Sequence, residues 1–147
     1  MRKQRDFFMT VSRHFIYILE CANNSLYTGY TIDLSARLRQ HLSGKGGARF
    51  TRAFKPLELK AAWTVYSGKS DALKLEAFIK SLSRSQKTAL TTDLLKLGPA
   101  ARASGRCTPR VRIFNNRALA KLNEEMTSSA TAKSSLLCTC QRELRRD

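Results

Sequence analysis

F-I-Y-I-L at Phe15–Leu19 and L-Y-T-G-Y at Leu26–Tyr30 decide the fold, with Cys21-Ala22-Asn23-Asn24-Ser25 between them. The first run is apolar throughout and rich in β-branched and aromatic residues, which predicts a strand. Asn23-Asn24 supplies turn chemistry. The second run predicts another strand, so the pair reads as a β-hairpin.

Downstream of the hairpin, Asp33 is a good N-cap, and Leu34, Leu38 and Leu42 recur every four residues as one stripe of a helix. Gly44 stops that helix. Gly44 to Pro56 reads as a basic loop carrying Lys45, Arg49, Arg52 and Lys55, with Phe50 and Phe54 interleaved. Leu57 to Tyr66 predicts a third strand, with Ala61, Trp63 and Val65 in alternation. Ser70 or Asp71 can cap a second long helix with the stripe Ala72, Leu75, Ile79 and Leu82, and a short helix is expected over about 87–97. The order β-β-α-β-α(-α) predicts a small α/β (α+β) unit: a three-stranded mixed sheet flanked by helices.

Composition divides the chain at Gly98-Pro99. Residues 13–97 form the expected domain, residues 1–12 an N-terminal extension, and residues 98–147 a basic, largely disordered tail. Within that tail Asn116 can cap a helix that turns Leu119, Leu122 and Met126 inward. No run approaches the ~18–20 apolar residues of a membrane span. The N-terminus is too short in apolar residues for an export signal, so a cytoplasmic protein is expected, with Met9 as an alternative start. Cys21, Cys107, Cys138 and Cys140 read as free thiols; the C-x-C at 138–140 lies far from His14 and His41 and makes a poor zinc set.

The net charge of +16 arises from 27 basic and 11 acidic residues. Both parts are basic, with 17 basic and 7 acidic residues over 1–97 and 10 and 4 over 98–147. Such a charge opposes compaction and points to a polyanionic partner, nucleic acid before membrane.

Four features recur in a fixed order: F-I-Y at 15–17, Y-T-G at 27–29, D-L-S-A-R-L-R-Q-H at 33–41, and Glu76 within L-E-A-F-I-K. Together they resemble the GIY-YIG nuclease superfamily, which includes the N-terminal domain of UvrC and certain intron-encoded endonucleases. G-K-G-G-A-R-F-T-R at 44–52 and K-S-L-S-R-S-Q-K at 80–87 are similar to the small stand-alone bacterial members of the YhbQ type. The resemblance covers about half the chain. Phe15 replaces the first glycine of the motif and Thr28 an isoleucine, and 85–88 lacks an asparagine that some members carry.

The resemblance implies a divalent-metal-dependent endonuclease acting on DNA in preference to RNA, in repair or on branched structures. It implies that Tyr17 activates water, Tyr27 assists, Arg37 stabilises charge and Glu76 binds a single Mg²⁺ or Mn²⁺. The chemistry of the residues agrees: one carboxylate suffices for a hard ion that keeps its waters, and a planar guanidinium suits a phosphate. Each residue also has a plainer role. Glu76 can pair with Lys80 at i,i+4, Arg37 can be a solvated helix residue, and the tyrosines can be core. His41, placed with Arg37 on the helix face turned away from the leucines, can handle a proton or sit at the helix C-terminal dipole. Gly29 permits close backbone approach or marks a bulge. Lys45, Arg49, Arg52 and Lys55 suit a phosphate backbone, while Phe50 or Phe54 stacks on a base or anchors the loop. The competing reading is a non-catalytic nucleic-acid-binding module of the same fold; a ribosome-associated RNA-binding protein is a third, resting on charge alone.

Overall fold

A computed structural model describes residues 13–46, 48–105, 109–114 and 117–128. The first strand, β1 (His14–Cys21), turns at Asn24, whose φ is 62°, into β2 (Leu26–Thr31). Then come helix α1 (Leu34–Ser43), short helix α2 (Arg49–Ala53) and strand β3 (Pro56–Val65). Helices α3 (Lys69–Ser81), α4 (Arg84–Thr92) and α5 (Leu97–Ala103) follow, with a 3-10 turn at Leu94–Lys96 before α5. Strand β4 (Val111–Ile113) and a helical segment, 117–128, complete the described elements.

The α+β class is as expected, but the sheet has four strands in the order β2-β1-β3-β4, and every pairing is antiparallel. The fourth strand comes from beyond the composition change at residue 98. With only three residues, it carries too little pattern to be read from sequence.

The Phe15–Leu19 run of β1 is apolar throughout because both faces of the strand are covered. Ile16 and Ile18 pack with Ala61, Trp63 and Val65 against Ala72, Leu75, Phe78 and Ile79 of α3, Leu90 of α4, and Leu97 and Ala101 of α5. Tyr17 and Leu19 face the opposite layer, formed by Leu34 and Leu38 of α1 and by Leu122 and Met126. The helix predicted around Leu119, Leu122 and Met126 is therefore present and buries two of the three; its proposed cap, Asn116, lies outside the described residues. Residues 1–12 and Cys107, Cys138 and Cys140 lie outside them too, whereas Cys21 is a buried free thiol whose pKa burial pushes up. Among the described residues no helix is long and apolar enough to cross a membrane.

Caps fix the helix limits. Asp33 accepts from the Ala36 N–H at 2.9 Å, and Gly44, at φ 72°, ends α1 as predicted. Helix α3 begins at Lys69, slightly ahead of the expected caps, with Gly68 at the N-cap. Helix α4 begins at Arg84 because Ser83 and Gln86 form a reciprocal capping box. Gly98-Pro99, where composition changes, lies in the first turn of α5, where proline removes no needed N–H.

The β1–β3 register shifts between Ile18 and Leu19, so Leu59 turns to the α1 layer while Ala61 faces α3. Such a bulge leaves backbone groups unpaired. Asn123 pairs them: the Leu59 N–H donates to its Oδ1 at 2.8 Å and its Nδ2 donates to the Leu59 carbonyl at 3.2 Å. Asn123→Ala would strand both groups in a half-buried site. The expected loss is about 1–3 kcal/mol, read as a lowered urea midpoint with unchanged slope.

Candidate active site

Tyr17 lies at the centre of β1, opposite Gly29 of β2 and Ala62 of β3. Its ring crosses the edge strand at Gly29, where a Cβ would fall on the phenol, about 2.5 Å from Cζ. Gly29 therefore admits a close approach, and the group that approaches is the ring of Tyr17.

A directed chain of hydrogen bonds begins at that phenol. Thr51 Oγ1 donates to the Ala48 carbonyl at 3.0 Å, so it accepts from His41 Nδ1 at 2.7 Å. The imidazole then carries its proton on Nδ1, and Nε2 accepts from the Tyr17 hydroxyl at 2.7 Å. This corrects the placement of His41 on the face away from the leucines. It is 2% exposed and lies on the same inner face as Leu34 and Leu38, while Leu42 is only partly buried. Burial, helped by the positive charge of Arg37, pulls its pKa down to about 4.

Arg37 sits one turn before His41 and is half-buried. Its Nη1 donates to Gln40 Oε1 at 2.9 Å and to the Gly46 carbonyl at 3.2 Å. Its Nε is buried and has no acceptor among the described residues. Burial acts to lower the arginine pKa, but the Tyr17 and Tyr27 hydroxyls outweigh it and the net shift is upward. Burial pushes the Tyr17 hydroxyl far above its ordinary value, and the Arg37 guanidinium opposes that rise only in part.

Tyr27 closes the cluster. Its ring lies 6.4 Å from that of Tyr17 and 5.4 Å from that of His41, and it stacks on Phe50 at 6.0 Å and 16°. Phe54 follows Phe50 at 5.0 Å. The loop-anchor role of Phe50 is thus realised, although both phenylalanines remain 38% exposed. Lys45, Arg49, Arg52 and Lys55 are all exposed, and none of the ion pairs found among the described residues engages them.

Glu76 comes from α3, in the opposite layer. Its Oε1 meets Lys80 Nζ at 2.9 Å, so the plainer ion-pair role exists. Its charge is nevertheless felt at the Tyr17 hydroxyl, where it adds to the upward shift. Among the described residues no three His, Cys, Asp or Glu side chains gather as a metal cage. One partly buried carboxylate whose charge reaches the Tyr17 phenol fits a hard divalent ion that keeps most of its waters, and fits zinc poorly.

The structure thus brings Tyr17, Tyr27, Gly29, Arg37 and His41 into one cluster, with Glu76 within electrostatic reach; the four basic loop residues are exposed on the segment that carries Phe50 and Thr51. Thr51 was missed. A threonine inside a basic run gives no sign that it will orient a histidine ten residues earlier.

The GIY-YIG catalytic domain family matches residues 13–89. A UPF0213 protein of Vibrio cholerae serotype O1 is 49% identical over 83 residues, 56% of this chain and 81% of that protein. One of Staphylococcus epidermidis is 47% identical over 83 residues, 56% of this chain and 99% of that protein. The solution NMR structure of a UPF0213 protein from Bacillus halodurans is 43% identical, covers 62% of this chain and 93% of that chain, and has a TM-score of 0.37.

Two outcomes follow from the cluster. Gly29→Ala would drive the Tyr17 ring off its position and cost about 1–3 kcal/mol of stability by overpacking, checked by thermal denaturation. The second concerns pH. An unfolded histidine titrates near ~6.5, whereas folded His41 titrates at about 4. Between those values the unfolded chain binds the extra proton, so stability is full above the upper value and declines as pH falls toward the lower. Denaturation midpoints of the wild type minus those of His41→Gln, followed from pH 7 to 4, should narrow with falling pH; a constant difference would refute the neutral histidine.

Proposed function

We propose, because the chain belongs to the GIY-YIG catalytic domain family, that it is a divalent-metal-dependent endonuclease hydrolysing DNA phosphodiester bonds. The observation that carries this reading is the bond chain from Tyr17 through His41 to Thr51, with Arg37 beside the same phenol. The neutral imidazole turns its lone pair on the phenol, so it is the group placed to receive the hydroxyl proton, against a lowered pKa that the negative charge of a bound phosphate would raise. As the Tyr17 oxygen takes a proton from an attacking water, its own proton passes to His41 Nε2. Arg37, with a buried unpaired Nε and a charge that persists at any working pH, binds the phosphate and opposes the charge that grows on it. Tyr27 holds the guanidinium and backs the cluster through its stack on Phe50. Glu76 would hold a Mg²⁺ or Mn²⁺ ion, whose bound chemistry is charge neutralisation at the phosphate and acidification of water. Lys45, Arg49, Arg52 and Lys55 contact the flanking backbone, which favours recognition of DNA structure over sequence. We place this work in the cytoplasm, in repair or on branched DNA.

The test is incubation with plasmid, forked DNA and single-stranded RNA in Mg²⁺, Mn²⁺ or EDTA. Arg37→Ala should lower the cleavage rate by about 10²–10³, and Glu76→Gln should abolish metal-dependent cleavage. Cleavage that persists in EDTA would overturn the metal role. Tight binding without cleavage in every condition would replace this reading with a non-catalytic nucleic-acid-binding module.

A further inference from the structure

Strand β2 is an edge of the described sheet, so groups from its two faces can come together along it. One face brings the cations of the Gly44–Pro56 loop to that edge. The loop is tied to the β1–β2 turn, where the Ala22 N–H donates to the Lys55 carbonyl at 2.9 Å. The other face carries α3 and α4, and these are tied to the same turn: Arg84 Nη1 donates to the Asn24 carbonyl. Lys80, Arg84 and Lys87 therefore lie on the far side of the same edge.

Two of these cations meet at the end of α3, close enough to repel one another. Lys87 reaches back from α4, and its half-buried ammonium donates to the Lys80 carbonyl at 3.5 Å. Burial and the charge of Lys80 both pull its pKa down. Lys80 itself meets Glu76, and its side chain stays 54% exposed. Local roles explain part of this: a lysine at the end of α3 suits its last carbonyls, and Glu76–Lys80 is a favourable helix pair. They do not balance the charge, because Glu76 is the one carboxylate paired with these three cations among the described residues. A bound polyanion would.

We propose that Lys80 and Lys87, positioned with Arg84, form a second phosphate-binding wall, so that a nucleic-acid backbone is gripped on both sides of the β2 edge. This rests on the nucleic-acid reading above and deepens it. The ligand is the backbone, so the contact is indifferent to base sequence and is felt in the salt dependence of binding.

The experiment uses the full chain in EDTA, with binding of a fluorescent 30-base-pair duplex followed by anisotropy across a salt series. Each lost phosphate contact should flatten the slope of log K against log salt by about 0.9. Lys87→Gln should flatten it by about one such step and Lys80→Gln/Lys87→Gln by about two, equally on unrelated sequences. Lys87→Arg should leave it unchanged. Lys45→Gln/Lys55→Gln serves as the loop control, and thermal midpoints check folding; Lys80→Gln alone carries the reading if Lys87→Gln unfolds. A flattened slope in the loop control alone would overturn the second wall and leave the proposed function standing. Unchanged slopes in both double variants would overturn the nucleic-acid reading itself.

Discussion

The Tyr17 hydroxyl reaches the β2 edge only because residue 29 has no side chain. In the antiparallel register Tyr17 and Gly29 are direct partners, so any Cβ at 29 would stand where the phenol lies. A glycine inside a strand weakens it by roughly 0.5–1 kcal/mol through backbone entropy. That loss is offset because β1, the partner of β2, is covered on both faces by apolar layers. Once the ring crosses the edge strand, its hydroxyl falls within reach of α1, and His41 and Arg37 meet it from successive turns of that helix.

The polar groups of the cluster are arranged so that none competes with its neighbour. The direction of donation runs from Tyr17 to His41 to Thr51 to the Ala48 carbonyl and fixes one tautomer. A second proton on the imidazole would face a hydroxyl that already donates, in a buried site beside a guanidinium. Arg37 thus acts twice: its charge keeps His41 neutral, and it restrains the upward shift that burial imposes on Tyr17. The first effect opposes transfer of the phenol proton to the ring and the second eases it, so in the free protein that proton stays on Tyr17.

Much of this was legible in the residues. The apolar runs located β1, β2 and β3, and the ordered motifs picked out Tyr17, Tyr27, Gly29, Arg37, His41 and Glu76. What escaped was the direction in which His41 points. By spacing alone Leu34, Leu38 and Leu42 complete the inner stripe, so a polar residue at 41 is assigned to the opposite face. In the folded chain the stripe drifts, as a period of 3.6 requires, and position 41 turns inward where two hydroxyls satisfy both ring nitrogens. Thr51 and Asn123 were invisible for a shared reason. Each completes hydrogen bonds of a distant element, and neither periodicity nor local spacing records a partner that only the tertiary fold supplies. Strand β4 was too short to carry alternation.

The arrival of Arg37 and Glu76 from opposite layers has a chemical consequence. A guanidinium and a carboxylate on one face would close into a bidentate pair, among the strongest side-chain contacts, and each would quench the other. Here β2 separates them, and each has a local partner instead. Arg37 is held by Gln40 and the Gly46 carbonyl, Glu76 by Lys80, and no ion pair among the described residues joins the two. Their local partners are replaceable: Arg37 is held by two neutral acceptors, and Glu76 by a lysine whose side chain is 54% exposed. A ligand carrying both negative oxygens and a hard cation can displace such contacts at small cost. An edge strand is where side chains from both faces of a sheet can come together, and the bare backbone at Gly29 makes room there for the Tyr17 ring.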